Sequence, residues 1–206
     1  MSRLVAFGCS LTYGQGLEDC VDKHDVTIPG PTPSQLGWAS IVANELKLDI
    51  VNQGNPGASN LEVLNQLLQF ELKEDDTVVL MWTYSFRDTY FYRKLFGRYA
   101  FRQLKRWINP IGQMLWSPSG NEVDFVIKTW LYMHHADLYL KNKNVKYIHY
   151  PVCPNDILEH KPTYVTIRNL YLDGFTMIDK ALDNHPGIES NKDTANKILR
   201  ILNSEK

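Results

Sequence analysis

No apolar run in this chain approaches the length of a membrane span. The first residues, Met1-Ser2-Arg3-Leu4-Val5, enter strand-like sequence at once, without the longer apolar segment and small-residue cleavage site of a signal peptide. A cytoplasmic location is therefore expected. Cysteine is scarce. Cys9, Cys20 and Cys153 form no closely spaced pair, which argues against a disulfide framework and against a zinc ribbon. An excess of one charge is missing too. A formal net charge of −1 supplies no global field toward nucleic acid or a membrane surface, and no nucleic-acid partner is expected. Internal repeats and low-complexity segments are absent. What remains is an ordinary globular composition over a length that suits one domain, residues 1–206, with a sizeable core.

Along the chain, short apolar runs alternate with helix-period segments. Arg3 to Phe7 reads as a strand buried on both faces, because it does not alternate. Glu18 to Pro33 is rich in Asp, Pro and Gly and predicts a long loop beginning just after Ser10. Ser34 is expected to cap a helix with Leu36, Ala39, Ala43 and Leu46 inward. Asp49 to Asn52 is a second strand, and Gly54-Asn55-Pro56-Gly57 a turn. Ser59 and Glu62 then make a capping box. Thr77 to Trp82 is the clearest buried strand. A basic and aromatic stretch, Tyr84 to Trp107, opens an insertion around 84–120; a pair of amphipathic helices is favoured for it over a ligand-stacking rim. The next helix is expected to turn Val123, Ile127, Trp130, Leu131 and Leu138 to one side. Val145 to Tyr150 is a fourth strand and Thr163 to Leu170 a fifth. Ser190 and Asp193 are expected to cap a last helix carrying Ala195, Ile198, Leu199 and Leu202 inward. Such alternation predicts an α/β fold with a parallel sheet covered on both sides, its ligand at the carboxyl ends of the strands. Ser10, Gly54–Gly57, Thr83–Ser85 and Pro151–Cys153 all fall just past strand ends and should converge there. His134, His135 and Asp137 share one helix and are expected at the surface, since adjacent helical histidines diverge by about 100°.

Gly8-Cys9-Ser10-Leu11-Thr12-Tyr13-Gly14 delivers a serine from a strand end into a glycine-flanked turn, where it is a nucleophile only if a base takes its proton. Three further stretches supply candidates for the rest. They are Asn52-Gln53-Gly54-Asn55-Pro56-Gly57-Ala58-Ser59, Trp82-Thr83-Tyr84-Ser85-Phe86 and Leu182-Asp183-Asn184-His185-Pro186-Gly187. In this order the four stretches resemble the blocks of the SGNH (GDSL-type) hydrolase family of esterases.

The resemblance implies a flavodoxin-like three-layer α/β/α sandwich with a parallel sheet of about five strands. It implies a serine esterase acting on a small acyl ester, for instance acetyl on a glycan, with no metal or cofactor. It makes Ser10 the nucleophile, His185 the base, and the N–H groups of Ser10 and Gly57 oxyanion donors. Cys9 stands at the family's usual aspartate. Thr83, Ser85 and Phe86 replace its third-block Gly, Asn and Asp, so Ser85 is the substitute donor with Thr83 as rival. The Asp-x-x-His spacing is not met, because Leu182 lies three before His185. Asp183, two before, would face the same side in extended chain. A Ser10–His185 dyad and support from Asp179 stay open. Two rivals from other classes also stand: a catalytically impaired domain that binds a glycan or a protein, and a nucleotide- or flavin-binding protein whose Ser10–Gly16 turn cradles phosphate.

Overall fold

In the computed structural model, residues 2–87, 89–93, 99–103 and 121–204 are described, with backbone alone for 89–93, 99–103, 121 and 122. Four strands form the main sheet: β1 (Arg3–Gly8), β2 (Asp49–Gly54), β3 (Thr77–Trp82) and the strand Lys146–Pro151. Strand order is β2, β1, β3, then Lys146–Pro151, and every pairing is parallel. All four therefore end on one edge of the sheet. β3 is buried along almost its whole length, which is why it reads as an unbroken apolar run.

Helices α1 (Ser10–Tyr13), α2 (Trp38–Leu46), α3 (Asn60–Gln69), α4 (Asn121–Lys143), α5 (Pro154–Leu158) and α6 (Ile188–Ser204) follow the strands. α2 packs on α6, and α3 packs on α4. The capping box is present in full at α3: Ser59 Oγ accepts from Glu62 N–H, and the Glu62 carboxylate accepts from Ser59 N–H.

Several expectations need correction. The fifth strand shrinks to one parallel bridge, His149 with Leu170, so among the described residues the sheet has four strands. Asn169 and Tyr171 bond His149 on either side, and the chain then leaves the edge. The Tyr84–Trp107 stretch contains an antiparallel pair, β4 (Thr89–Arg93) with β5 (Tyr99–Gln103), rather than two helices. Runs such as Thr89-Tyr90-Phe91-Tyr92 favour strand by their aromatic and β-branched content. The rest of 84–120 beyond residue 87 lies outside the described residues. Lys146–Pro151 is accordingly β6.

Ser34 does not cap α2. Gly37 occupies the cap, while Ser34 Oγ accepts from Leu36 N–H and donates to Asp19. On α4 the inward face is Val126, Trp130, Met133, Ala136 and Leu140, whereas Val123, Leu131 and Leu138 are exposed. Thr129 and Asp137 belong to that inward face, and their polarity tilts any stripe drawn from hydrophobicity alone. Asp137 is thus buried rather than superficial, accepting from Tyr147 Oη–H at 2.9 Å and Arg168 N–H at 3.1 Å. α6 begins before Ser190, which lies inside the helix.

One ion pair fastens β1 to the turn before β3. Arg3 Nε and Nη2 donate to Asp76 at 2.8 and 2.7 Å, and Lys73 N–H donates at 2.8 Å. Burial pushes the Asp76 pKa up, but the Arg3 hydrogen bonds, the Lys73 N–H and the positive charges outweigh it, and the net shift is downward. The unfolded carboxyl titrates near 3.9, so this contribution is complete above that pH and is lost as pH falls through the lower native value. Asp76→Ala should lower unfolding free energy by about 2–3 kcal/mol in urea titration at pH 7. The cost is below that of a fully buried pair because the partly exposed Arg3 can rehydrate.

Candidate active site

Ser10 follows β1 by two residues and opens the one-turn helix α1. Cys9 takes the cap position and is fully buried, so its thiol faces the core. Ser10 does not cap: its Oγ meets His185 Nε2 at 3.1 Å. At the first helical position its N–H has no intrahelical acceptor. Gly14, with φ of 81°, closes the turn by donating to Ser10 O. β2 supports this turn from the side. Asn52 Nδ2 donates to Thr12 O at 2.7 Å, and Asn52 Oδ1 accepts from Gly54 N–H at 2.8 Å. A side chain at Gly54 would strike the backbone of Tyr13.

His185 comes from the other end of the chain, 175 residues away. It sits in a tight turn closed by a Lys180–Pro186 bridge and by Ala181 N–H donating to His185 O at 2.7 Å. Asp183 Oδ2 lies 2.9 Å from His185 Nδ1, and Asp183 Oδ1 accepts from His185 N–H at 3.1 Å. The two side chains meet for a different reason than extended-chain alternation. Asn184 between them is left-handed, with φ of 65°, and Asp183 makes an Asx turn onto the His185 backbone. An ionised carboxylate only accepts, so Nδ1 carries the proton and Nε2 is left to accept from the Ser10 hydroxyl. The Asp183 side chain is 3% exposed and that of His185 27%, so the carboxylate is sheltered and the ring partly exposed.

Asp179 is committed elsewhere. Its carboxylate accepts from Glu189 N–H and Ser190 N–H at the start of α6, and Ser190 Oγ donates back to it. It therefore fastens the histidine turn to α6 rather than touching His185. Asn191 adds to this frame, donating to Pro186 O and Gly187 O and accepting from Trp38 N–H at the start of α2.

Gly57, Thr83 and Ser85 stand past the ends of β2 and β3, on the same sheet edge as Ser10. The β1–β3 register, Phe7 opposite Leu80, sets the two strand ends within one residue of each other. Gly57 is left-handed (φ 82°) within the Asn55–Ala58 turn. Thr83 is buried and clamped by Asn60, which accepts from Thr83 N–H at 2.8 Å and donates to Thr83 O at 3.1 Å. Its hydroxyl is buried with no hydrogen-bond partner among the described residues. Ser85 is half-buried, beside a stacked Tyr84–Phe86 pair with Arg87 over the Tyr84 ring.

Cys153, half-buried after β6, has its thiol pushed up to about 11 by burial and by Asp156, so it stays protonated at neutral pH. Among the described residues, no three of His, Cys, Asp and Glu gather as metal ligands would, and no helix is long and apolar enough to cross a membrane.

Asn60 and Gln15 are residues around the site that reading the sequence missed, and Asn52 stood in the second block without an assigned role. Each is a polar side chain close to a glycine or serine of a recognised block, and that proximity was the signal they offered.

No protein-family model matches the chain, and no curated protein matches it in sequence. Solved structures do match in shape. A protein of the G-D-S-L lipolytic family from Desulfitobacterium hafniense is 14% identical, with 97% of this chain and 98% of that one covered and a TM-score of 0.52. An acetyl xylan esterase from Butyrivibrio proteoclasticus is 15% identical over 99% of this chain and 64% of its own, at 0.62. A family two carbohydrate esterase from Clostridium thermocellum, solved with cellohexaose, is 11% identical over 99% and 64%, at 0.58. The chain spans about two-thirds of each carbohydrate esterase. At these identities the likeness is one of architecture: the chain has the fold shared by GDSL-type lipolytic proteins and carbohydrate esterases.

Proposed function

We propose that the chain, as one SGNH-type domain over residues 1–206, is a serine ester hydrolase acting through an acyl-enzyme. The observation that carries this is the relay from Ser10 Oγ to His185 Nε2 at 3.1 Å and from His185 Nδ1 to Asp183 Oδ2 at 2.9 Å. Ser10 Oγ attacks the ester carbonyl while His185 takes its proton, and Asp183 holds the tautomer and stabilises the imidazolium. The imidazolium then protonates the leaving alkoxide. Water, activated by the same imidazole, releases the acid and restores Ser10. The N–H groups of Ser10 and Gly57, with the hydroxyl of Thr83 or Ser85, are assigned to the oxyanion. By analogy with the carbohydrate esterases, the substrate is a small acyl group, such as acetyl, on a glycan. The Tyr84–Phe86 pair offers an aromatic surface beside the site. A phosphate-cradling role for the Ser10–Gly16 turn is disfavoured, since the Asp183 carboxylate lies against Gly16 and would repel an anion.

A glycan-binding domain without turnover is the second reading. It is favoured by the side-chain amide of Asn60 being spent on Thr83 and Thr129, with only hydroxyls at the third block. Turnover of p-nitrophenyl acetate and labelling by a fluorophosphonate separate the two. Wild type is expected to hydrolyse and to be labelled at Ser10. Ser10→Ala and His185→Ala should lose roughly a thousandfold or more in kcat. A wild type that is neither labelled nor faster than these variants rejects the esterase.

A further inference from the structure

The Asp183–His185 pair is joined through a short turn. Asp183 binds His185 through both its ring and its backbone N–H, while Asp179 and Asn191 hold the backbone of the turn to α6. An Asx turn of this kind fixes the carboxylate relative to the imidazole but not relative to the nucleophile. The contacts to α6 fix the backbone of the turn, and a separate contact must set the Asp183 carboxylate against the turn that bears Ser10.

Gln15 makes that connection. Its backbone N–H donates to Ser10 O at 3.1 Å, at the end of the turn that carries the nucleophile. Its side-chain Nε2 donates to Asp183 Oδ2 at 3.1 Å, the same oxygen that faces His185 Nδ1. The same amide also reaches Thr27 O at 3.4 Å, in the loop that follows α1. Next to it, Gly16 has φ of 88°, and a Cβ there would land on Asp183 Oδ1; Gly16 O accepts from Leu182 N–H at 3.3 Å. The Gln15–Gly16 step therefore forms a seat, with an open space for one carboxylate oxygen and a donor for the other.

We infer that Gln15 is the positioning residue that allows a carboxylate two places before the histidine to serve this site, by anchoring Asp183 Oδ2 to the turn that bears Ser10. The inference rests on the esterase reading. Gln15 touches neither substrate nor the reacting atoms; it acts through Asp183. Among the described residues, its amide supplies the one hydrogen bond to Asp183 that comes from outside the histidine turn.

Gln15→Met and Gln15→Glu test it in the full chain. Gln15→Met keeps the length and removes the donor. It should lower kcat about 10- to 100-fold, the scale of one hydrogen bond to a charged group, and move KM less than about twofold. Gln15→Glu adds a pH signature. Protonated, the introduced carboxyl can donate O–H to Asp183 Oδ2 in place of the amide. Ionised, it repels that carboxylate. The ratio of Gln15→Glu to wild-type kcat should therefore be highest at acid pH and fall as pH rises, which mere loss of packing would not produce. Wild-type kcat in Gln15→Met, or a pH-independent ratio for Gln15→Glu, overturns the inference. A wild type without turnover or Ser10 labelling counts against the esterase reading instead. In that event the low-field proton resonance of the His185–Asp183 hydrogen bond, observed by NMR without substrate, still decides: it should shift or broaden in Gln15→Met, and an unchanged resonance overturns the role of Gln15.

Discussion

Asparagine in place of Asp183 is expected to lower kcat by about 10³- to 10⁴-fold while leaving the chain folded. The carboxylate makes Nδ1 the protonated nitrogen of His185, and so leaves Nε2 with a lone pair for the Ser10 proton. An asparagine retains the size of the side chain but can present its own N–H to the ring. That places the imidazole proton on Nε2, facing a hydroxyl that it can no longer deprotonate. Gln15 and the His185 backbone N–H both bond to Asp183 as donors, and the asparagine oxygen can satisfy only part of that demand. The informative contrast is Asp179→Asn. Asp179 accepts from the first N–H groups of α6, so its replacement should act on stability, by about 1 kcal/mol as for other helix caps, and far less on kcat. Steady-state kinetics with p-nitrophenyl acetate and thermal melts on both variants separate the two aspartates. Equal losses of kcat would remove Asp183 from its assigned role.

The sequence-level reading of the sheet succeeded where burial is two-sided. Leu4–Phe7 and Val78–Trp82 are buried without interruption, so a continuous apolar run carries the signal and its length sets the strand. The same reading failed at Thr163–Leu170, where a strand was expected but only Leu170 pairs, with His149. Strand propensity is expressed only when a partner edge is available. In the candidate site, Ser10 and His185 were singled out by the order of the four blocks that resemble the SGNH pattern, not by either residue's neighbours alone. The manner in which Asp183 reaches His185 was not legible. It depends on a left-handed Asn184, a conformation asparagine tolerates but does not announce. Gln15 and Asn60 were illegible for a related reason. Their importance lies in hydrogen bonds across 168 and 23 positions of sequence, and no local pattern encodes such distances.

Acid should weaken this protein well above the range where carboxylates titrate, and His149 is the reason. It lies in β6, fully buried, stacked on Trp82 with ring centroids 5.8 Å apart and edge-on to Tyr147 at 5.6 Å. Trp82 Nε1–H donates to His149 Nδ1 at 2.9 Å, so the ring's own proton sits on Nε2. Asp137 Oδ1 is 3.8 Å from Nε2, too far for a hydrogen bond, and already accepts from Tyr147 and Arg168 N–H. Burial pushes the His149 pKa down to about 3. In the unfolded chain the same group titrates near 6.5. Below that pH the unfolded state binds a proton that the folded state refuses, so stability falls as pH falls, until the native ring itself protonates near the lower value. From pH 7 to pH 5 this one residue should remove about 1–2 kcal/mol of unfolding free energy. His149→Gln keeps an acceptor for Trp82 Nε1–H and has no proton to gain. It should be less stable than wild type at pH 7 and should lose less between pH 7 and 5 in urea titrations. Identical acid slopes for the two proteins would mean that His149 is not buried in its neutral form.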